Sequence, residues 1–238
     1  MVQLSLFPNT LTFGEAVRQE RDFVIYRKFF KRFMDIALSL LGIIVLSPVL
    51  LIVAAAIKID SRGPVFFKQK RVGIRKTHFN MLKYRTMKID TPKDTPTHLL
   101  ENPGQYITRV GRFLRKSSLD EIIQALHILT GKMSIVGPRP ALWNQYDLIA
   151  ERDKYGANDI RPGLTGWAQV NGRDELPIDV KANFDGEYVK KMSFLFDCKC
   201  LFRTVFKVLK RDGVVEGARD SSPEKEAEAA NVEESVEK

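Results

Sequence analysis

From Ile36 to Ile57 the chain runs 22 residues without a charged side chain. As one straight helix this run is roughly 33 Å long, enough to cross a bilayer core. A buried core helix is the competing reading, but such a length without charge is unusual in a water-soluble domain. Two features argue against a simple span. Ser47-Pro48 falls at its middle, where proline removes a backbone donor and bends a helix. Both flanks are basic, with Arg27, Lys28, Lys31 and Arg32 before the run and Lys58, Arg62, Lys68, Lys70, Arg71, Arg75 and Lys76 after it. Such flanks favour the cytoplasmic side of a membrane. A helix broken at Ser47-Pro48 that enters and leaves by one face satisfies both observations, with the Ser47 hydroxyl serving a carbonyl freed by Pro48. A kinked spanning helix is the competitor.

The segments around this run suit a membrane surface. Between Glu15 and Asp35, Arg18, Arg27, Lys28, Lys31 and Arg32 interleave with Phe23, Ile25, Tyr26, Phe29, Phe30 and Phe33. Between Ser193 and Arg211, Phe194, Leu195, Leu201, Phe202, Val205, Phe206 and Leu209 share a helix with Lys199, Arg203, Lys207, Lys210 and Arg211. Basic amphipathic helices of this kind lie at a headgroup layer, although ordinary helices with a solvated basic face give the same pattern. The chain's net charge is +9 over 238 residues, although the tail from Pro223 holds six Glu against two Lys. The remainder is therefore more basic still, which favours a polyanionic partner: nucleic acid, anionic lipid or phosphorylated substrates. Two close cysteines, Cys198 and Cys200, and three histidines give neither a disulfide framework nor a zinc pattern.

The pattern divides the chain into residues 1–35, an N-terminal segment with a basic amphipathic helix; 36–57, the membrane helix; 58–213, a cytosolic α+β domain with short strands; and 214–238, an acidic tail predicted to be disordered. Within the domain, Val65-Phe66-Phe67 and Phe79 to Thr86 read as a hairpin, with Lys83 and Arg85 on one face. Asp90 to Pro103 reads as a surface loop, residues 141–159 and Lys181 to Lys191 as helices, and Trp167 to Val170 as a short strand.

The chemistry concentrates at Ser118-Leu119-Asp120-Glu121. Ser118 and Glu121 have capping-box spacing. The apolar residues Leu119, Ile122, Ile123, Leu126 and Leu129 predict a helix that Gly131 ends. Asp120 in its first turn is expected to stay ionised, and an ionised carboxylate is a nucleophile toward phosphorus. Two helix-capping acids give the same spacing. Arg139 lies between Pro138 and Pro140, and Arg161 precedes Pro162-Gly163. A guanidinium on a stiffened backbone suits bidentate phosphate binding, although a surface arginine in a proline turn reads alike.

The order of these pieces is specific where each alone is weak. The apolar run with Ser47-Pro48 is followed by Lys83-Tyr84-Arg85-Thr86-Met87 and Ser118-Leu119-Asp120-Glu121. Then come Met133-Ser134-Ile135-Val136-Gly137-Pro138-Arg139-Pro140 and Arg161-Pro162-Gly163-Leu164-Thr165-Gly166-Trp167-Ala168-Gln169-Val170-Asn171-Gly172-Arg173. From about Lys28 to Gly213 the chain closely resembles the bacterial sugar transferase family, the small monotopic phosphoglycosyl transferases. The resemblance implies transfer of a sugar 1-phosphate from a UDP-sugar to undecaprenyl phosphate, with UMP released. This step initiates capsule, exopolysaccharide, O-antigen or glycoprotein glycan assembly. It implies that Asp120 attacks the phosphate bonded to the sugar, forming a phospho-sugar aspartyl intermediate, and that Glu121 helps bind Mg²⁺. Arg139 and Arg161 would meet the donor phosphates and Arg115 the polyprenyl phosphate, with Lys83 and Arg85 as further phosphate-binding candidates.

The resemblance also implies a re-entrant segment broken at Ser47-Pro48, no extra N-terminal membrane bundle, and a location on the cytoplasmic face of the bacterial inner membrane. The implied partners are a UDP-sugar, undecaprenyl phosphate and an anionic membrane surface, with a homodimer allowed and nucleic acid not expected. Two departures stand out. Ile123 replaces the Pro common in the family after the acidic pair, which leaves that pair intact. Asp174-Glu175-Leu176-Pro177 follows Asn-Gly-Arg where many members have Asn, which bears on donor identity rather than on the reaction. The reading from a different class is a non-catalytic membrane adaptor that binds anionic lipid or nucleic acid through its basic faces.

Overall fold

The computed structural model describes residues 25–91, 103–172 and 176–210. The expectations for residues 1–24, for most of the loop Asp90 to Pro103, for Arg173, Asp174 and Glu175, and for the tail lie outside them. The apolar run falls within one 30-residue helix, α1 (Lys31–Asp60), entered through a turn of π-helix at Tyr26–Phe30. The expected break at Ser47-Pro48 does not interrupt it, because Pro48 lies inside the helix. The reason is local: proline has no N–H for the carbonyl four residues back. That carbonyl belongs to Ile44, and the Ser47 hydroxyl donates to it at 2.8 Å. The helix is long and apolar enough to cross a membrane. Its middle presents Leu41, Ile44, Val45, Leu51 and Ile52 outward, each more than half exposed.

Both ends of α1 are nevertheless held by the same globular body. At the start, the Arg32 guanidinium donates to the carbonyls of Ile128 and Leu129 at 2.6 and 2.9 Å. Buried Asp35 accepts from the Ser134 hydroxyl and the Ile135 N–H at 3.1 and 2.9 Å. Toward the other end, Tyr84 donates to the Leu50 carbonyl at 2.9 Å, and the Asp60 carboxylate accepts from the Val110 N–H at 3.0 Å.

Strands β1 (Phe66–Val72) and β2 (His78–Tyr84) form the expected antiparallel hairpin, with Phe66 opposite Tyr84. Helix α2 (Arg109–Lys116) is capped by the Thr108 hydroxyl, which accepts from the Gly111 N–H at 2.9 Å. Gly111 sits against the Thr86 backbone so closely that a Cβ there would lie 2.0 Å from the Thr86 oxygen. After α2 the chain turns through Ser118, in the left-handed region at φ 55°, into a 3₁₀ turn at Leu119–Gln124 and helix α3 (Ala125–Leu129). Gly131, at φ 78°, ends this element as expected.

Buried Tyr84 from β2, Leu114 from α2 and Ile123 from the 3₁₀ turn converge on Val53 and Ile57 of α1. This cluster aligns three sequence-distant elements. Lys83, Arg115 and the Asp120-Glu121 pair each lie one to three residues from one of its anchors.

The other half is built on the parallel pair β3 (Ser134–Val136) and β4 (Gly163–Thr165). Between them, helix α4 covers only Tyr146–Asp153 of the expected 141–159. Trp167–Val170, expected as a strand, forms a one-turn helix, α5. The strand is instead Gly163–Thr165, which must lie flat against Gly137: a Cβ on Gly163 would come within 2.2 Å of the Gly137 nitrogen. A helical turn then lets Trp167, Ala168 and Val170 all bury, which alternation would not allow. Helices α6 (Ile178–Lys191) and α7 (Phe194–Lys210) follow as the periodicity predicts. Tyr188, Met192 and Cys200 close the core over Val136, Ile160, Trp167 and Val170. Helix α7 leaves Leu195, Phe202, Val205 and Phe206 exposed, and Phe194 meets Phe30 edge to face at 5.7 Å.

Candidate active site

The expected capping box at Ser118 and Glu121 does not form. Ser118 makes no side-chain cap, because its backbone is left-handed. The Glu121 carboxylate points instead to two cations: Lys83 Nζ reaches Oε1 at 2.7 Å, and Arg139 Nη2 reaches the same oxygen at 2.8 Å. Arg139 Nη1 approaches Oε2 at 3.4 Å. Burial alone would raise the Glu121 pKa, but Arg139 and Lys83 outweigh it and hold the carboxyl well below the ordinary glutamate value. Burial lowers the Lys83 pKa and Arg139 adds to that effect, while Glu121 opposes it.

Asp120 is different. It is 9% exposed and accepts no hydrogen bond among the described residues. Burial pushes its pKa up to about 6 and Glu121 adds to this, against the pull of Lys83, Arg115 and Arg139. The expectation of a carboxylate kept ionised by a helix dipole is therefore corrected in its cause. The turn is a short 3₁₀ segment with little dipole to offer. Desolvation raises the pKa, and the cations limit the rise. With a pKa of about 6, Asp120 is mostly ionised near neutral pH, and among the described residues no hydrogen bond holds it.

Five of the seven predicted site residues thus converge: Asp120, Glu121, Lys83, Arg115 and Arg139. Arg115 acts on Asp120 through its charge while its Nε donates to the Thr86 hydroxyl at 2.9 Å. The other two are engaged elsewhere. Strand β2 ends at Tyr84, so Arg85 leaves the alternation that would have put it beside Lys83. Its buried guanidinium caps the end of α1, donating to the carbonyls of Arg62 and Ser61 at 2.7 and 2.9 Å. Arg161 directs its Nε to the Gly131 carbonyl at 3.0 Å. Neither is among the charges that act most on Asp120 or Glu121.

The proline-flanked segment is held through its carbonyls, since its prolines have no N–H. The Pro138 oxygen accepts from the Gly163 N–H at 2.8 Å, the Arg139 oxygen from Arg152 at 3.0 Å and the Pro140 oxygen from Arg71 at 3.0 Å. His127, which carried no motif in the sequence, accepts the Leu82 N–H on Nε2 at 2.9 Å and so steadies β2 beside Lys83. Arg152, Arg71 and His127 were missed because their partners are backbone atoms 13 to 69 residues away.

A metal would have to be held by oxygen. No cluster of three or more His, Cys, Asp or Glu is present among the described residues. The Glu121 carboxylate, held ionised, is the one that could take Mg²⁺, a hard cation that binds through one or two carboxylates plus substrate phosphates.

The site is thus a desolvated carboxylate surrounded by cations, in a body built around the long apolar helix α1. Residues 26–211 match the bacterial sugar transferase family, and the chain belongs to it. It is 42% identical over 185 residues to the UDP-glucose:undecaprenyl-phosphate glucose-1-phosphate transferase of Escherichia coli K12, covering 74% of this chain and 39% of that protein. It is 37% identical over 184 residues to the uncharacterized sugar transferase EpsL of Bacillus subtilis 168, covering 77% of this chain and 89% of that one. The undecaprenyl-phosphate glucose phosphotransferase of Komagataeibacter xylinus is 36% identical over 205 residues, which is 81% of this chain and 38% of that protein. The chain therefore spans about two fifths of the length of the E. coli and K. xylinus proteins.

Proposed function

We propose that this chain transfers a sugar 1-phosphate from a UDP-sugar to undecaprenyl phosphate at the cytoplasmic face of the bacterial inner membrane. The observation that carries this reading is Asp120: buried, without a hydrogen bond among the described residues, and acted on by Lys83, Arg115 and Arg139. An Asp120 oxygen attacks the phosphorus bonded to the sugar. The bond from that phosphorus to the oxygen bridging to UMP breaks, and UMP leaves with the electron pair. A phosphate oxygen of the lipid acceptor then attacks the same phosphorus, which frees the Asp120 carboxylate and yields undecaprenyl-diphospho-sugar. Arg139, on its stiff segment, orients the donor phosphates, and Arg115 the lipid phosphate. Phosphoryl transfer depends on such positioning and on neutralising charge at the equatorial oxygens. Mg²⁺ held by Glu121 would supply further neutralisation of the donor diphosphate.

The membrane arrangement we propose keeps both ends of α1 on one face, although the helix is not interrupted at Ser47-Pro48. The globular body grips α1 at Arg32 and Asp35 and again at Leu50 and Asp60. A span perpendicular to the bilayer would put Arg32 and Asp60, about 42 Å apart along the helix, on opposite sides. With both ends on one side, the exposed apolar middle of α1 and the exposed face of α7 enter the same leaflet.

The test is UMP release by the full chain in nanodiscs, with Mg²⁺, undecaprenyl phosphate and a panel of UDP-sugars, alongside Asp120→Asn. UMP from one donor, abolished by the substitution, supports the reading and names the sugar. UMP release that survives the substitution rules out Asp120 as the nucleophile. A folded, lipid-bound chain that turns over no donor favours the adaptor reading.

A further inference from the structure

Arg152 and Asp185 form a buried ion pair that the proposed reaction does not use. Their side chains are 4% and 1% exposed, with Nη2 to Oδ2 at 2.6 Å and Nε to the same oxygen at 2.8 Å. Enclosing two charges this completely is expensive, and an ion pair alone seldom stabilises a fold more than apolar side chains of the same volume. Arg152 has a further contact: its Nη1 donates to the Arg139 carbonyl at 3.0 Å.

That contact bears on the site because of the sequence around Arg139. With Pro138 before it and Pro140 after it, the segment is rich in acceptors and poor in donors. Its position depends on donors that reach in from elsewhere. Arg152 comes from α4 and is itself fixed by Asp185 of α6, two helices that among the described residues make no hydrogen bond to Glu121 or Asp120. We infer that Arg152, locked by Asp185, is a positioning residue that sets where the Arg139 guanidinium meets Glu121 and the donor phosphates. The chain of contacts runs Asp185, Arg152, Arg139 carbonyl, Arg139 side chain, Glu121. This inference rests on the transferase reading.

The experiment is a double-mutant cycle on the full chain in nanodiscs, read as UMP release and as UDP affinity by titration. Arg152→Lys keeps a cation beside Asp185, but one ammonium cannot span both the carboxylate and the Arg139 oxygen. A second variant, Arg152→Met with Asp185→Leu, removes both charges at similar volume. Each is made with Arg139 intact and with Arg139→Ala, and melting is followed throughout. The expected result is a loss of about tenfold or more in kcat/KM with Arg139 present, shrinking to under about twofold when Arg139 is already alanine. UDP affinity should follow the same pattern. Full activity in the folded variants would overturn the inference, as would a loss of equal size in the Arg139→Ala background. So would failure of both variants to fold, which would assign the pair to the fold itself. A parent chain that neither releases UMP nor binds UDP would overturn the transferase reading, and this inference with it.

Discussion

Glu121 and Arg139, 18 residues apart in the chain, meet through a contact of 2.8 Å and a second of 3.4 Å. Lys83 shares the Glu121 oxygen that takes the shorter contact. One carboxylate thus organises two of the site's cations. Glu121→Gln removes the charge and leaves two partly buried cations facing each other. It should cost about 2–4 kcal/mol of stability and at least about a hundredfold in kcat/KM, read by thermal melting and UMP release. Arg139→Lys should lose about 10- to 100-fold, because an ammonium cannot reproduce the planar fork.

Asp120→Asn should abolish turnover and make the protein more stable. The sign follows from the raised pKa. A carboxyl that titrates near 6 when folded, against an ordinary value of 3.8, favours its neutral form in the fold. Above pH 6 its ionised form therefore costs stability, and the cost is relieved as pH falls from 6 toward 3.8. Removing the charge should gain about 1–3 kcal/mol at pH 7, seen as a higher melting temperature. A lower melting temperature in the inactive variant would contradict the assignment of a desolvated nucleophile.

The same pKa sets the acid limb of activity. With Asp120 as nucleophile and a free-enzyme pKa of about 6, kcat/KM should fall roughly tenfold per pH unit below that value. A profile flat from pH 7 to pH 5 would exclude this carboxyl as the attacking group.

Arg85→Met separates a structural arginine from a substrate-binding one. Arg85 holds the Ser61 and Arg62 carbonyls at the end of α1. Its loss should destabilise the chain by about 1–3 kcal/mol, while kcat per folded molecule and the KM for the UDP-sugar stay within about twofold of the parent. A specific rise in KM would return Arg85 to the phosphate site.

The proposed one-sided topology rests on the grip on both ends of α1. Cysteine labels placed at Lys28 and at Arg62 should both be protected from an impermeant reagent in intact cells and both react once the membrane is opened. Labelling of one position from outside would establish a spanning helix.

Much of this was legible in the sequence because it depended on local pattern. The uncharged run, the hairpin, helices α6 and α7 and the order of motifs needed only periodicity, charge and turn residues. The Ser47 hydroxyl and the Ile44 carbonyl pair within one turn of helix, so even that contact was within reach of a sequence argument. What the sequence could not decide was whether the helix breaks there. That depends on what both ends are held against, and the holding groups lie 23 to 100 residues away in the chain.

The tertiary structure alone decided which charges form the site. Lys83 and Arg85 are equivalent in an alternating strand, but β2 ends between them, and Arg85 turns to cap a helix. Ser118 and Glu121 have the spacing of a cap, but Ser118 is left-handed, and two cations from distant elements claim the carboxylate. The sequence by itself determined the kinds of groups present and the segments that carry them. Their pairing, and the desolvation that raises Asp120 while neighbouring Glu121 is lowered, come from burial and long-range packing, which no local spacing encodes.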